Sequence, residues 1–112
     1  MRVSDDELVQ LAVCPPVIQE VLQGLRDVPA QTVFEQRFLA LPCLGDPLGL
    51  STFRHAAEIY RLGRKAGVTV RASMDCLIAA IAIENHVPIW HRDRDFSGIA
   101  RYTALREWTQ RG

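Results

Sequence analysis

No stretch of the chain approaches the roughly 20 consecutive apolar residues that a membrane-spanning helix needs. The opening Met1–Glu7 segment carries Asp5 and Asp6 where a signal peptide would be apolar. The chain therefore reads as cytoplasmic. No C-x-x-C pair occurs, and the three cysteines, Cys14, Cys43 and Cys76, are scattered and odd in number. That argues against a zinc site or a disulfide framework and for buried, reduced, inert thiols. Excess positive charge is missing too: thirteen basic residues face thirteen acidic ones. A nucleic-acid binder that relied on its own charge would be strongly basic. If this chain acts on nucleic acid, bound cations supply part of the field. There is no Walker A loop, no G-x-G-x-x-G, no H-E-x-x-H and no G-x-S-x-G, so phosphate-loop, dinucleotide, zincin and serine-hydrolase chemistries have no footing. Internal repeats and linkers are absent.

What is present is an ordinary globular composition, 48% hydrophobic and 23% charged, in 112 residues. That suits one domain over residues 1–112. Leu11–Cys14 is a short apolar run closed by Pro15-Pro16, which fits a strand followed by a helix from Pro16 to about Leu25. A second helix is expected over Ala30–Leu39, and a proline-bearing edge strand over Leu41–Leu44. Ser51 is expected to cap a helix reaching Ala66, with Gly67 as its stop. Arg54, Arg61, Arg64, Lys65 and Arg71 make Arg54–Arg71 locally basic against the single acid Glu58.

Ser73 is expected to cap a helix over Met74–Glu84, ended by Asn85-His86. Leu77 to Ile83 make that helix apolar almost all round, so it should be the buried centre of the domain. Pro88–Trp90 reads as a buried strand, Phe96–Tyr102 as a short helix and Thr103–Leu105 as a last strand. Strands alternating with helices predict an α/β fold with a parallel sheet. Ligands then gather at the C-terminal ends of the strands.

That placement draws attention to the acids. Glu20, Asp75 and Asp93 each stand at a strand-to-helix junction, and Asp95 follows Asp93 by two residues. Each has an ordinary structural reading. Glu20 suits the wet side of an amphipathic helix, Asp75 a positive helix N-terminus, and Asp95 a helix cap. Asp93-x-Asp95-x-Ser97-Gly98 resembles the start of a calcium loop, but Ala104 stands where that loop needs glutamate. Taken together, clustered carboxylates repel unless a cation binds between them. Hard oxygen donors suit Mg²⁺ or Mn²⁺, and metal-assisted phosphodiester hydrolysis is the natural chemistry. His55-x-x-Glu58 has helix spacing for a metal pair but no second pair, and a solvated face explains it better.

The segment from Val70 through Asp75 to Ala80, followed by His91-Arg92-Asp93-Arg94-Asp95-Phe96, closely resembles the C-terminal half of PIN-domain ribonucleases of the VapC toxin type. Cys14–Leu22, centred on Glu20, resembles that family's second acidic motif. The resemblance implies a three-layer α/β/α fold and an endoribonuclease dependent on Mg²⁺ or Mn²⁺. It also implies homodimers and a cognate VapB-like antitoxin that blocks the site. By motif match, Glu20, Asp75 and Asp93 are metal-site acids with catalytic roles, and Asp95 is an accessory ligand. Arg71 and Arg92 flank the motifs and could meet RNA phosphate. The family opens with a hydrophobic central strand ending in a metal-binding aspartate. Here that first strand is expected to be absent, since Asp5 and Asp6 follow no apolar run and come too soon before Glu20. A late start codon, a truncated gene or a strand from another chain would each account for it. It also leaves open a second reading, an inactive chain that only binds antitoxin or dimerises, and a third in which the acids are merely structural.

Overall fold

A computed structural model describes residues 11–70, 72–90 and 94–108. The expectations about the first strand, Asp5, Asp6, Asp93, Arg71 and Arg92 lie outside the described residues. The chain divides into two compact units, Met1–Asp46 and Pro47–Gly112.

In the first unit, α1 spans Pro15–Gln23 and α2 spans Pro29–Leu39. Each helix begins on the proline itself, one residue before the expected start, because proline has φ preset for the first helical turn and no N–H to lose. Helix α1 stops at Gln23, short of Leu25; Gly24 and Leu25 close the end with hydrogen bonds to Val21 and Leu22 carbonyls. The expected strands at Leu11–Cys14 and Leu41–Leu44 contract to a single parallel bridge between Val13 and Cys43. Val13 N–H donates to the Pro42 carbonyl at 2.8 Å, and Leu44 N–H donates to the Val13 carbonyl at 2.7 Å. Pro42 accepts in this pairing but has no N–H to extend it, which is the limit a proline sets on a strand.

In the second unit, α3 spans Leu50–Lys65 and α4 spans Ser73–Glu84. Strand β1 is Ile89–Trp90, α5 is Arg94–Ala100 and β2 is Glu107–Trp108. The two strands pair in parallel, Ile89 opposite Glu107 and Trp90 opposite Trp108, with α5 as the crossover. The centre of this unit is α4. Cys76, Ile78, Ala79, Ala80, Ile81 and Ala82 are all buried, and Ala79 and Ala80 have no exposed surface at all. Helix α3 packs on it through the stripe Thr52, Ala56, Ile59 and Gly63, spaced at four, three and four residues as one helical face requires. Ile99 of α5 and Leu105 complete the core.

Three local expectations need correction. Ser51 and Ser73 are not caps: Gly49 and Ala72 hold the cap positions, and both serines lie inside the first turn without a capping side-chain bond. The last strand is Glu107–Trp108 rather than Thr103–Leu105. Thr103 turns the chain instead, its hydroxyl donating to the Ile99 carbonyl at 2.8 Å and accepting from Leu105 N–H at 3.2 Å. Helix α5 starts at Arg94, two residues early, and ends at Ala100, so Asp95 lies within its first turn rather than before it.

The end of α4 is specific. His86 takes φ of +56°, Val87 N–H reaches the Ala82 carbonyl at 3.0 Å, and His86 N–H reaches the Ile83 carbonyl at 3.1 Å. These are the paired bonds of a Schellman ending, with histidine at the left-handed position where glycine is usual. At the end of α3, Gly67 does hold the left-handed conformation expected of a stop signal.

Candidate metal centre

Asp75 lies in the first turn of α4 and Asp95 in the first turn of α5. Each is only 9% exposed. Helices α4 and α5 pack against one another. The Cys76 thiol is pushed up to about 11, by burial first and then by the charges of Asp75 and Asp95. Two carboxylates twenty residues apart in sequence thus act on one sulfur. A buried carboxylate is costly without a partner, and two of them raise each other's cost. Neither is unpartnered: among the described residues no buried side-chain nitrogen or oxygen lacks a hydrogen-bond partner. The N-terminus of α4 adds the positive end of its dipole beside Asp75.

Asp95 also borders an open concavity of about 540 Å³, with Thr69, Ser97, Gly98 and Arg101 on its walls. Arg101 was not singled out in the sequence. It lies six residues beyond Asp95, a spacing that carries no motif.

Glu20 occupies the second turn of α1 and is exposed. That agrees with the wet side of an amphipathic helix. Its carboxylate still lies within electrostatic reach of Cys14, whose thiol is raised by burial and, more weakly, by Cys43 and Glu20. Asp93, Arg71 and Arg92 lie outside the described residues. Asp75 and Asp95 are thus both buried and both within electrostatic reach of Cys76. Among the described residues no group of three His, Cys, Asp or Glu side chains is gathered as a metal site.

The donor set suits a hard divalent cation. Two carboxylates offer oxygen ligands, and Mg²⁺ is commonly held by one or two carboxylates with water filling the remaining positions. Softer chemistry finds no support. All three cysteines are free; Cys14 and Cys76 are buried as expected, whereas Cys43 is only half-buried.

The His55-x-x-Glu58 spacing resolves differently from either reading. His55 turns to Glu84 at the end of α4, with Nδ1 2.6 Å from Oε2. Thr52 donates its hydroxyl to the other carboxylate oxygen at 2.7 Å. Burial raises the Glu84 carboxyl, but the bonds from Thr52 and His55 outweigh it, and its pKa is lowered. This clasp, invisible at a separation of about thirty residues, ties the start of α3 to the end of α4.

Comparison with known proteins gives the family. The pattern that defines the PIN domain matches residues 3–102. The chain is 44% identical over 105 residues to a VapC ribonuclease of Mycobacterium bovis, covering 94% of this chain and 78% of that protein. The same identity and coverage hold for ribonuclease VapC11 from two strains of Mycobacterium tuberculosis. Identity of that extent, with the match over residues 3–102, shows that the chain belongs to the PIN-domain family and is of the VapC toxin type.

Proposed function

We propose that the protein is a metal-dependent endoribonuclease that hydrolyses RNA phosphodiester bonds, with Asp75 and Asp95 among the ligands of a Mg²⁺ or Mn²⁺ ion. The observation that carries this reading is that two buried carboxylates, in the first turns of helices that pack together, both act on the Cys76 thiol. The relatives' designation as VapC ribonucleases supports it. By motif resemblance alone, Glu20 and Asp93 are further candidate acids. Arg71 and Arg92 meet the substrate's phosphates, and Arg101, on the concavity beside Asp95, is a further candidate.

A bound divalent cation supplies a water of lowered pKa and stabilises charge on the phosphoryl oxygens. The protein's part is to hold the donors still. Asp75 is fixed by the most buried helix of its unit, and Asp95 by a helix packed on it. A single PIN domain is the reading proposed for residues 1–112, supported by the one match over residues 3–102. The setting proposed is cytoplasmic, with a VapB-like antitoxin that covers the site and a homodimer as the functional form. No helix among the described residues is long and apolar enough to cross a membrane.

A second reading is an inactive chain that only binds antitoxin or dimerises. The exposed apolar side of α2 favours it: Val33, Phe34 and Leu39 are each about half exposed, and Phe34 stacks on Phe38 with ring centroids 5.7 Å apart. Calorimetric titration of Mn²⁺ into the chain, beside Asp75→Asn and Asp95→Asn, separates the two. The nuclease reading expects binding that both substitutions weaken, together with Mg²⁺-dependent RNA cleavage lost in Asp75→Asn. Cleavage that survives Asp75→Asn would refute the site, and an absence of both binding and cleavage favours the inactive chain.

A further inference from the structure

The chain has no net charge, yet α3 carries Arg54, Arg61, Arg64 and Lys65 against the single acid Glu58. Its buried stripe is Thr52, Ala56, Ile59 and Gly63, so these charged residues occupy the outward side, where all of them are exposed. None is ion-paired among the described residues. Even Glu58, one turn from Arg54 and from Arg61, neutralises neither of them. Repulsion along the helix is thus left standing, as it would be on a surface that meets an anion.

Aromatic side chains accompany the cations. Phe53 is 48% exposed and Tyr60 37% exposed. They precede Arg54 and Arg61, so an aromatic–arginine pair recurs after seven residues, two helical turns or about 10.5 Å along the axis. Phe53, Tyr60, Arg61 and Arg64 line one wall of an open groove of about 550 Å³; Met74 and Leu77 of α4 line the other. Ser73 and Met74, in the same first turn of α4 as Asp75, also line the groove.

We propose that the outward side of α3 is a docking track for single-stranded RNA, in which Arg54, Arg61 and Lys65 take backbone phosphates and Phe53 and Tyr60 stack unpaired bases. Exposed cations interleaved with aromatic faces are what unpaired nucleic acid requires, because phosphates set affinity and every base offers a face to stack on. A second protein copy would cover the aromatics but would bury four unneutralised cations, which is costly. An acidic peptide would meet the cations and leave the repeated aromatic spacing without a role. The inference rests on the nuclease reading for its substrate class and adds where that substrate lies.

The test is fluorescence-anisotropy binding of a labelled oligouridylate to the full chain in EDTA, across a salt series, so that neither cleavage nor the metal contributes. Counterion release predicts a log–log salt slope that falls by about 0.7 for each cation lost. The triple variant Arg54→Ala/Arg61→Ala/Lys65→Ala should therefore lower the slope by about 2. Phe53→Ala and Tyr60→Ala should each weaken binding by roughly five-fold or more with the slope unchanged. Glu58→Gln should tighten binding, which covers the case of a loss-of-function variant that fails to fold. An unchanged slope in the folded triple variant overturns the track. So does dissociation of a dimer by Phe53→Ala, measured by sedimentation, because the face would then belong to a second copy. Because no arm of this test needs catalysis, the track can fail while Asp75-dependent cleavage stands, and the reverse.

Discussion

His55 and Glu84 meet at 2.6 Å across twenty-nine residues of sequence, and Thr52 holds the opposite oxygen of the same carboxylate. Glu84 is thereby favoured in its charged form despite the cost of burial. Its folded pKa is lowered, so the stability it contributes is present above the ordinary glutamate value of 4.5 and is lost as pH falls through the folded value. Thr52→Val keeps the shape and removes one bond to the carboxylate. It should cost about 1 kcal/mol at neutral pH, allowing for the partial exposure of Glu84. Urea unfolding at a series of pH values should show that gap closing below pH 4.5; a gap constant with pH would mean that Thr52 acts through packing alone.

Gly63 and Tyr102 are coupled. The Tyr102 hydroxyl donates to the Ile59 carbonyl at 3.1 Å and passes so close to α3 that a Cβ on Gly63 would lie 2.5 Å from its oxygen. A glycine inside a helix usually gains about 0.5–1 kcal/mol on replacement by alanine. Here Gly63→Ala should lose stability, since the ring must swing away and its hydrogen bond break. In a Tyr102→Ala background the same change should stabilise. A double-mutant cycle should give a coupling of about 1–2 kcal/mol.

His86 holds a left-handed conformation without glycine's freedom. His86→Gly should raise the stability of the chain by about 0.5–1 kcal/mol, the left-handed penalty less the entropy that glycine gives the unfolded state. His86→Val should lower it by more. The Arg106 guanidinium donates to the His86 carbonyl at 2.6 Å, and this bond to backbone survives either change. Thermal melts of the three proteins decide the order.

The proposed metal role of Asp75 and Asp95 predicts that divalent ions stabilise the chain. If the pair holds a cation, Mg²⁺ at a hundred times its dissociation constant should stabilise the fold by about 2.7 kcal/mol. Asp75→Asn should abolish most of that increment. A melting temperature that Mg²⁺ moves equally in both proteins would argue for unspecific salt effects.

The parts of the fold legible in the sequence were those written in periodicity. Helix α4 declared itself through an unbroken apolar run, and α3 through the stop signal at Gly67. The strands were harder, because a parallel ladder of two residues is decided by tertiary pairing and leaves almost no local pattern. Thr103 looked like strand material and became a turn once its hydroxyl found two backbone partners. Ser51 and Ser73 looked like caps and were passed over for Gly49 and Ala72. At the candidate site, Asp75 and Asp95 could be read from motif and position. The clasp of Thr52 and His55 on Glu84 could not, since no local rule links residues about thirty apart, and Gly63 has a reason only once Tyr102 is seen above it.

Helix α4 is buried along most of its length: Ala79 and Ala80 are sealed at its middle, and Cys76, Ile78, Ile81 and Ala82 are buried around them. Such a helix cannot roll or slide without opening gaps on several fronts at once. Asp75, fixed to its first turn, inherits that immobility, so the carboxylate's position is governed by the filling of the interior. A larger side chain at Ala80, more than a turn away, would displace the acid before it unfolded the chain. Impaired mutants of this protein should therefore include changes that never touch metal or RNA.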